Sequence, residues 1–294
     1  MADSTQIFLT TRELAELLRI KERKVYDLAA SGVVPCNRAT GKLLFPRAEV
    51  EAWLHETASH PPVEPGERPP NVFLGSHDPL LDWALKESRA EIASFFDGSL
   101  DGLERFANGE GIACGLHVYD CRTQSWNTHR ITADFARRPV VAIEWAWRER
   151  GLIISPTLEN EPSGLADLAG LRFAPRQSKA GSQHLFEQLL VQEGGVIADL
   201  RSIPAQRSET DAALAVSEGK ADAAFGLSCV ARQFGLAFRP VIRERFDLLV
   251  DRRAWFEPGL QRLDAFCRGP AFARRANELG GYDISGYGSV HFNG

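Results

Sequence analysis

Long apolar runs are missing from this chain of 294 residues: nowhere do about 18 apolar residues follow one another, so no membrane-spanning helix is expected. The opening stretch, MADSTQIFLTTREL, lacks a basic segment followed by an apolar one, so no secretory signal is expected and the cytoplasm is the expected compartment. Cysteine is scarce and odd in number. Cys36, Cys114, Cys121, Cys229 and Cys267 lie far apart with no CxxC and no Cys/His pairing of zinc-site spacing, which points to free thiols in a reducing compartment. Nucleotide and nucleophile motifs are absent as well. Without GxGxxG or GxxxxGK[ST], dinucleotides and nucleoside triphosphates are poor candidates, and without GxSxG no serine nucleophile is set up. His77, Asp78, His117 and His184 share no spacing that would clamp a metal on one element. The expectation is a protein that is not an enzyme, with no cofactor and no metal. An excess of positive charge is also lacking. The net charge is −5, and residues 1–60 hold eight Lys/Arg against eight Asp/Glu, so overall charge does not mark a nucleic-acid binder.

Proline is concentrated instead. HPPVEPGERPPN, His60 to Asn71, carries five prolines and no apolar period, a stiff spacer through which neither flank continues as a helix. Length alone suggests two units, and the spacer sets their bounds: 1–59, a linker 60–71, and 72–294. In the first unit, Thr10-Thr11-Arg12-Glu13 precedes Leu14, Ala15, Leu17 and Leu18 at helical spacing. A second helix is expected from about Glu22 to Ala30, ended by Ser31-Gly32. VVPCNRATGKLLF reads as a β-hairpin turning at Asn37 to Lys42, and Pro46 as the start of a third helix carrying Val50, Trp53 and Leu54. Between Arg19 and Arg47 lie seven basic and two acidic residues, a local bias that the totals conceal.

The second unit alternates strands and helices, which implies a largely parallel sheet covered on both faces. VFLGSHDPLLDWAL gives a strand Val72 to Leu74, a loop through Ser76, His77 and Asp78, and a helix opened by Pro79. The next unit of that kind has Gly98-Ser99 before its helix and a strand Ile112 to Leu116 ending at His117. RFAPRQSKAGSQHLFEQLL is a third: a strand, a loop with no Asp or Glu, and a helix entered at Gly181-Ser182. Unpaired N–H groups and the helix dipole suit such an entry to an anion; the plainer reading makes Ser182 a helix cap. Ligands of open α/β sheets sit at strand C-terminal ends, so three such loops suggest one cleft. Its candidate residues are Ser76, His77, Asp78, Gly98, Ser99, His117, Arg176, Gln177, Gly181, Ser182 and Gln183.

FLTTRELAELLRIKERKVYDLAASGVVPCNRATGKLLFPRAEVEAWL resembles the excisionase-like DNA-binding domains. The resemblance implies a winged helix-turn-helix whose second helix enters the major groove. The residues available there are Lys21, Arg23, Lys24 and Tyr26, with Asn37, Arg38, Thr40 and Lys42 in the wing. LGSHDPLLDWAL, DGSLDGLERFANGEGIACGLHVYD, LAGLRFAPRQSKAGSQHLFEQLL and GGYDISGYGSV, in order over residues 71–290, resemble the substrate-binding-protein-like domain of the molybdate-binding type. That resemblance implies an α/β fold of two lobes, periplasmic-binding-protein-like of type 2, with chain exchanged between lobes near Val140 to Trp147 and after Phe246. The family pattern has Arg where this chain has Gln183, which removes a fixed charge. Either the ligand is less charged than molybdate or carries its own donor, or Gln183 turns outward and Arg176 with backbone amides holds the same oxyanion.

Together these readings describe a transcription regulator that binds operator DNA and senses a small anionic molecule: molybdate, tungstate, an organic acid or a cofactor fragment. A homodimer is expected, because paired half-sites supply affinity that one small unit lacks. The alternatives are a ligand carrier, or a molybdenum-cofactor-related chaperone or enzyme, on the same fold.

Overall fold

The computed structural model describes residues 8–18, 20–37, 42–50, 53 and 68–294. Contacts divide the chain into two units, Met1–Glu67 and Arg68–Gly294.

In unit 1, strand β1 (Phe8–Leu9) leads into helix α1 (Thr11–Leu18), and helix α2 (Glu22–Ala30) follows a short break. Thr10 starts α1 with a reciprocal cap: Glu13 N–H donates to Thr10 Oγ1 at 3.3 Å, and Thr10 N–H donates to Glu13 Oε2 at 2.8 Å. Leu14 and Ala15 on α1 pack with Val25 and Ala29 on α2, around Leu9, Val34, Phe45 and Val50. Of the expected hairpin, the turn residues 38–41 lie outside the described residues. Asn37 and Leu44 form one isolated antiparallel bridge, and Phe45 pairs with Leu9. Pro46 closes strand β2 (Phe45–Pro46) opposite Phe8, so the helical backbone begins at 47 instead of at the proline. Leu54 lies outside the described residues.

Unit 2 is built on one sheet. Strands β3 (Val72–Gly75), β4 (Ala93–Phe96) and β5 (Ala113–Leu116) run parallel in the first lobe. Strands β9 (Arg172–Ala174), β10 (Arg201–Ser202) and β11 (Ala223–Leu227) do so in the second. Between them run two antiparallel strands of 15 residues each, β8 (Val140–Ile154) and β12 (Ala237–Asp251). Residues 247–250 of β12 pair with β5, and residues 150–154 of β8 pair with β11, so these two strands join the lobes. The sheet is therefore parallel in its wings and antiparallel at its centre. β6 (Tyr119–Asp120) and β7 (Ser125–Trp126) form a separate small hairpin. The chain returns to the first lobe through β13 (Tyr282–Asp283) and β14 (Val290–Asn293), both paired with β8.

Each lobe has its own core. Phe73, Leu80, Leu81, Trp145, Phe246 and Phe272 fill the first, and Leu152, Phe173, Leu185, Phe186 and Phe225 part of the second. Helices α3 (Pro79–Glu87), α4 (Ser99–Ala107) and α5 (Thr128–Phe135) belong to the first lobe. Helices α6 (Gly181–Gln192), α7 (Glu209–Ser217) and α8 (Ser228–Gln233) belong to the second. Gly102 lets α4 sit hard on the end of β3: a Cβ there would fall 2.2 Å from Gly75 Cα. Among the described residues no helix is long and apolar enough to cross a membrane.

Candidate functional site

The β3, β4 and β5 strand ends bring Ser76, Ser99 and His117 together. Ser76 Oγ and Ser99 Oγ are hydrogen-bonded at 2.8 Å, and His117 N–H donates to Ser99 Oγ at 3.2 Å. From the other lobe, the start of α6 closes on them. A Cβ on Gly181 would sit 3.0 Å from Ser99 Oγ and 3.2 Å from His117 Cε1, so glycine is the residue that permits this approach. Gln177 Nε2 crosses between the lobes to Asp97 O and Oδ1 at 3.1 and 3.0 Å, and Lys179 O lies against Gly98. The lobes stand closed. Surface cavities of about 220 Å³ beside Tyr119 and about 400 Å³ beside Trp255 do not include these loops.

Ser182 does not cap its helix. Ala180 holds the N-cap position of α6 and has no side-chain bond. Gln183 and His184 N–H both turn to Ala180 O, at 3.0 and 3.3 Å, and the preceding N–H groups of Gly181 and Ser182 have no acceptor among the described residues. The positive end of a 12-residue helix, with two unpaired backbone donors, thus packs at Gly181 against Ser99 and His117.

Four candidates have other partners. His77 is exposed, its ring edge-on to Phe96. Asp78 is buried but caps α3 through Leu81 N–H at 2.7 Å, and it accepts from Trp145, Arg148 and Tyr282. The Arg176 guanidinium donates to Gln206 O at 3.1 Å and Arg207 O at 2.8 Å. Gln183 braces the loop from behind: its Oε1 accepts from Arg176 N–H and its Nε2 donates to Glu187, both at 2.8 Å. The position where the family pattern has Arg is therefore spent on the loop's own conformation.

The hinge strands that join the lobes, expected near Val140 to Trp147 and after Phe246, carry buried charges that were not among the candidates. Arg148 and Arg150 of β8 are fully buried on one face of the strand, two residues apart. Glu244 of β12, opposite Arg148, receives Arg150 Nε at 2.6 Å, Arg150 Nη2 at 2.9 Å and Arg148 Nη2. Asp78 takes Arg148 Nη1 at 2.9 Å, and Glu209 lies 2.7 Å from Arg150 Nη2. Burial pushes the Glu244 carboxyl upward, but both arginines and His117 together hold it well below the usual carboxylate range. His117 Nδ1 is 3.0 Å from Glu244 Oε2, a pair that becomes ionic only when the ring is protonated; Arg148 Nε and Arg150 Nη1 have no hydrogen-bond partner among the described residues. Burial, the strongest influence on His117, lowers its pKa despite Glu244. The local signal is ambiguous: WRERG places two arginines at period two, in a strand that also carries Glu144 and Glu149.

In unit 1, Lys21, Arg23, Lys24 and Tyr26 all stand exposed, with Glu22 and Asp27 beside them, while Val25 and Ala29 point to the core. Asn37 and Lys42 are exposed as well. Arg38 and Thr40 lie outside the described residues. No cluster of three or more His, Cys, Asp or Glu residues able to hold a metal occurs among the described residues.

Residues 8–58 match the helix-turn-helix domain, and residues 83–268, more than half of the chain, match the PBP superfamily domain. Both are of DNA-binding or substrate-binding type, not catalytic families. The chain is 25% identical over 299 residues to the uncharacterized protein YvgK of Bacillus subtilis, covering 96% of each. The tungstate ABC transporter from Geobacter sulfurreducens has a similar structure at TM-score 0.50 and 12% identity, over 70% of this chain and 97% of that one. Holo ArgBP from T. maritima is similar at TM-score 0.45 and 14% identity, over 71% and 95%. These likenesses are of fold alone. On the match over 83–268, this chain belongs to the PBP superfamily domain family, carried behind a helix-turn-helix domain.

Proposed function

We propose that this protein is a ligand-responsive transcription regulator of the cytoplasm, in which unit 1 binds operator DNA and unit 2 closes on a small anion. The observation that carries the reading is the convergence of polar groups from two lobes: the unpaired N–H groups of Gly181 and Ser182 from one side, and the Ser76 and Ser99 hydroxyls with the His117 ring from the other. Neutral donors fixed in a dry cleft hold an oxyanion or a carboxylate without a paired counter-charge, because the donors are already oriented and lose little on binding. Ser182 contributes its hydroxyl as well as its N–H. Arg176 and Gln177 shape the loop that presents these groups, and Gln183 locks it.

On the DNA side, Arg23 and Lys24 of α2 face the duplex with Lys21 and Tyr26, and Asn37 and Lys42 add contacts beside them. A homodimer provides two such units for paired half-sites. Closure of unit 2 changes how the two DNA-binding units are presented and so changes operator affinity by a coupling free energy. Native mass spectrometry of the freshly purified chain tests the sensor half: a bound small anion is expected, and a neutral or cationic passenger would contradict it. Selection from a random duplex library tests the other half. Enrichment of an inverted repeat is expected, and a chain that retains no duplex at low salt would point to a ligand carrier instead.

A further inference from the structure

His117 stands between the converging loops and the charged hinge. On one side its Nδ1 is 3.0 Å from Glu244 Oε2, and its ring stacks on Phe246 at 5.9 Å. On the other, its Cε1 and Nε2 lie 3.2 and 3.4 Å from where a Cβ on Gly181 would be, at the start of α6. Glu244 of β12, Arg148 and Arg150 of β8, Ser99 of α4 and Gly181 of α6 are the groups packed around it. The imidazole is 3% exposed and touches both halves of the site.

Two features of this arrangement bear on an incoming anion. A neutral imidazole with Nδ1 beside a carboxylate keeps its proton on that nitrogen, which leaves Nε2 as an acceptor toward the cleft. An acceptor repels a bare oxyanion; only the imidazolium donates on both sides. The charges buried to nine-tenths or more point the same way. Asp78, Glu144, Glu209, Glu244 and Asp247 outnumber Arg148 and Arg150, so a further negative charge deepens an existing excess. A proton on His117 offsets it at the place where the anion sits.

We infer that the cleft takes up its anion together with one proton, which resides on His117. This rests on the anionic reading of the cleft. Without the anion, burial and the two arginines keep the ring neutral, and the incoming negative charge reverses that balance. The dissociation constant then rises up to tenfold per pH unit between the pKa of the ring without the anion and its pKa with it. Outside that window binding is flat.

Isothermal calorimetry of the full chain with sulfate, molybdate and tungstate, none of which protonates near pH 7, tests this in buffers of differing ionisation enthalpy. The expected result is an apparent enthalpy that changes with the buffer, corresponding to uptake approaching one proton, and loss of that dependence in His117→Gln. Binding with no buffer dependence anywhere from about pH 6 to 8 overturns the proton coupling and leaves the anionic reading standing. No binding of any of the three by a folded chain overturns both. If His117→Gln does not fold, the His117 Cε1 proton shift of the wild-type chain gives the answer at pH 7. Movement to the imidazolium position on adding molybdate supports the coupling, and an unmoved signal at saturation overturns it.

Discussion

The strand-end loops and the hinge strands, which meet at His117, handle polar groups in opposite ways. The loops carry neutral donors and leave several without partners, as at Gly181 and Ser182. The hinge buries full charges and pairs them against one another through Glu244. Unspent neutral donors are what a ligand competes for, whereas a paired buried network fixes geometry and is costly to break from one side. On the proposed function, the loops would set what is bound, and the hinge the shape in which binding occurs.

The comparison breaks most visibly at Glu244. Glu244→Gln leaves Arg148 and Arg150 buried without their shared carboxylate and is expected to destabilise unit 2 by about 3–5 kcal/mol in urea denaturation. A loss below about 1 kcal/mol would mean that the hinge charges are not coupled as their distances imply. Because the folded-state pKa of Glu244 is depressed, its stabilisation is full above the pKa of an unfolded glutamate and is lost as pH falls toward the folded value. Denaturation midpoints of the wild-type chain should decline on acidification over that range, and those of Glu244→Gln should decline less.

Gly181→Ala sharpens the loop side. The added methyl meets Ser99 Oγ and His117 at 3.0 and 3.2 Å, so closure requires a shift of the kind that costs about 1–3 kcal/mol. Calorimetry with molybdate should show the loss in anion affinity, with the urea midpoint moving far less than in Glu244→Gln. Ser99→Ala removes one neutral hydrogen bond and should weaken anion binding by about 1 kcal/mol. In unit 1, Arg23→Ala or Lys24→Ala should lower the salt slope of DNA binding by about one for each phosphate that the missing cation would have neutralised, and leave anion affinity unchanged. The smallest effect is expected at Lys179→Ala. Its ion pair with Glu104 spans 3.4 Å with both side chains more than half exposed, and its removal should change stability by less than about 1 kcal/mol.

Local patterns carried the first part of the fold. The Thr10–Glu13 cap, the helix opened by Pro79 and the strand ending at His117 were legible because each depends on neighbours within a few residues. The small-residue loops were legible for the same reason, and the resemblance ordered them into two lobes. What could not be read was which side chains meet across more than 60 positions. Asp78 sits in a loop of the right composition, yet Arg148 and Tyr282, 70 and 204 residues on, draw it into the hinge. Gln183 is a shorter-range case: it occupies a position the family pattern marks, but its side chain is held by Arg176 and Glu187, 7 and 4 residues away. By period alone Arg148 and Arg150 fit the solvated face of a strand, since nothing local shows that Glu244 is 94 to 96 residues away in sequence and adjacent in space.

The central claim is that occupancy of the cleft is felt at the DNA-binding unit. Fluorescence anisotropy of a labelled, library-selected duplex, titrated with the chain at fixed salt with and without a saturating anion proven to bind by calorimetry, tests it directly. The account predicts operator affinities that differ by a factor within about 5 to 150, and no difference in Ser99→Ala at anion concentrations too low to fill its weakened cleft. Equal affinities with the wild-type cleft full and empty would contradict it.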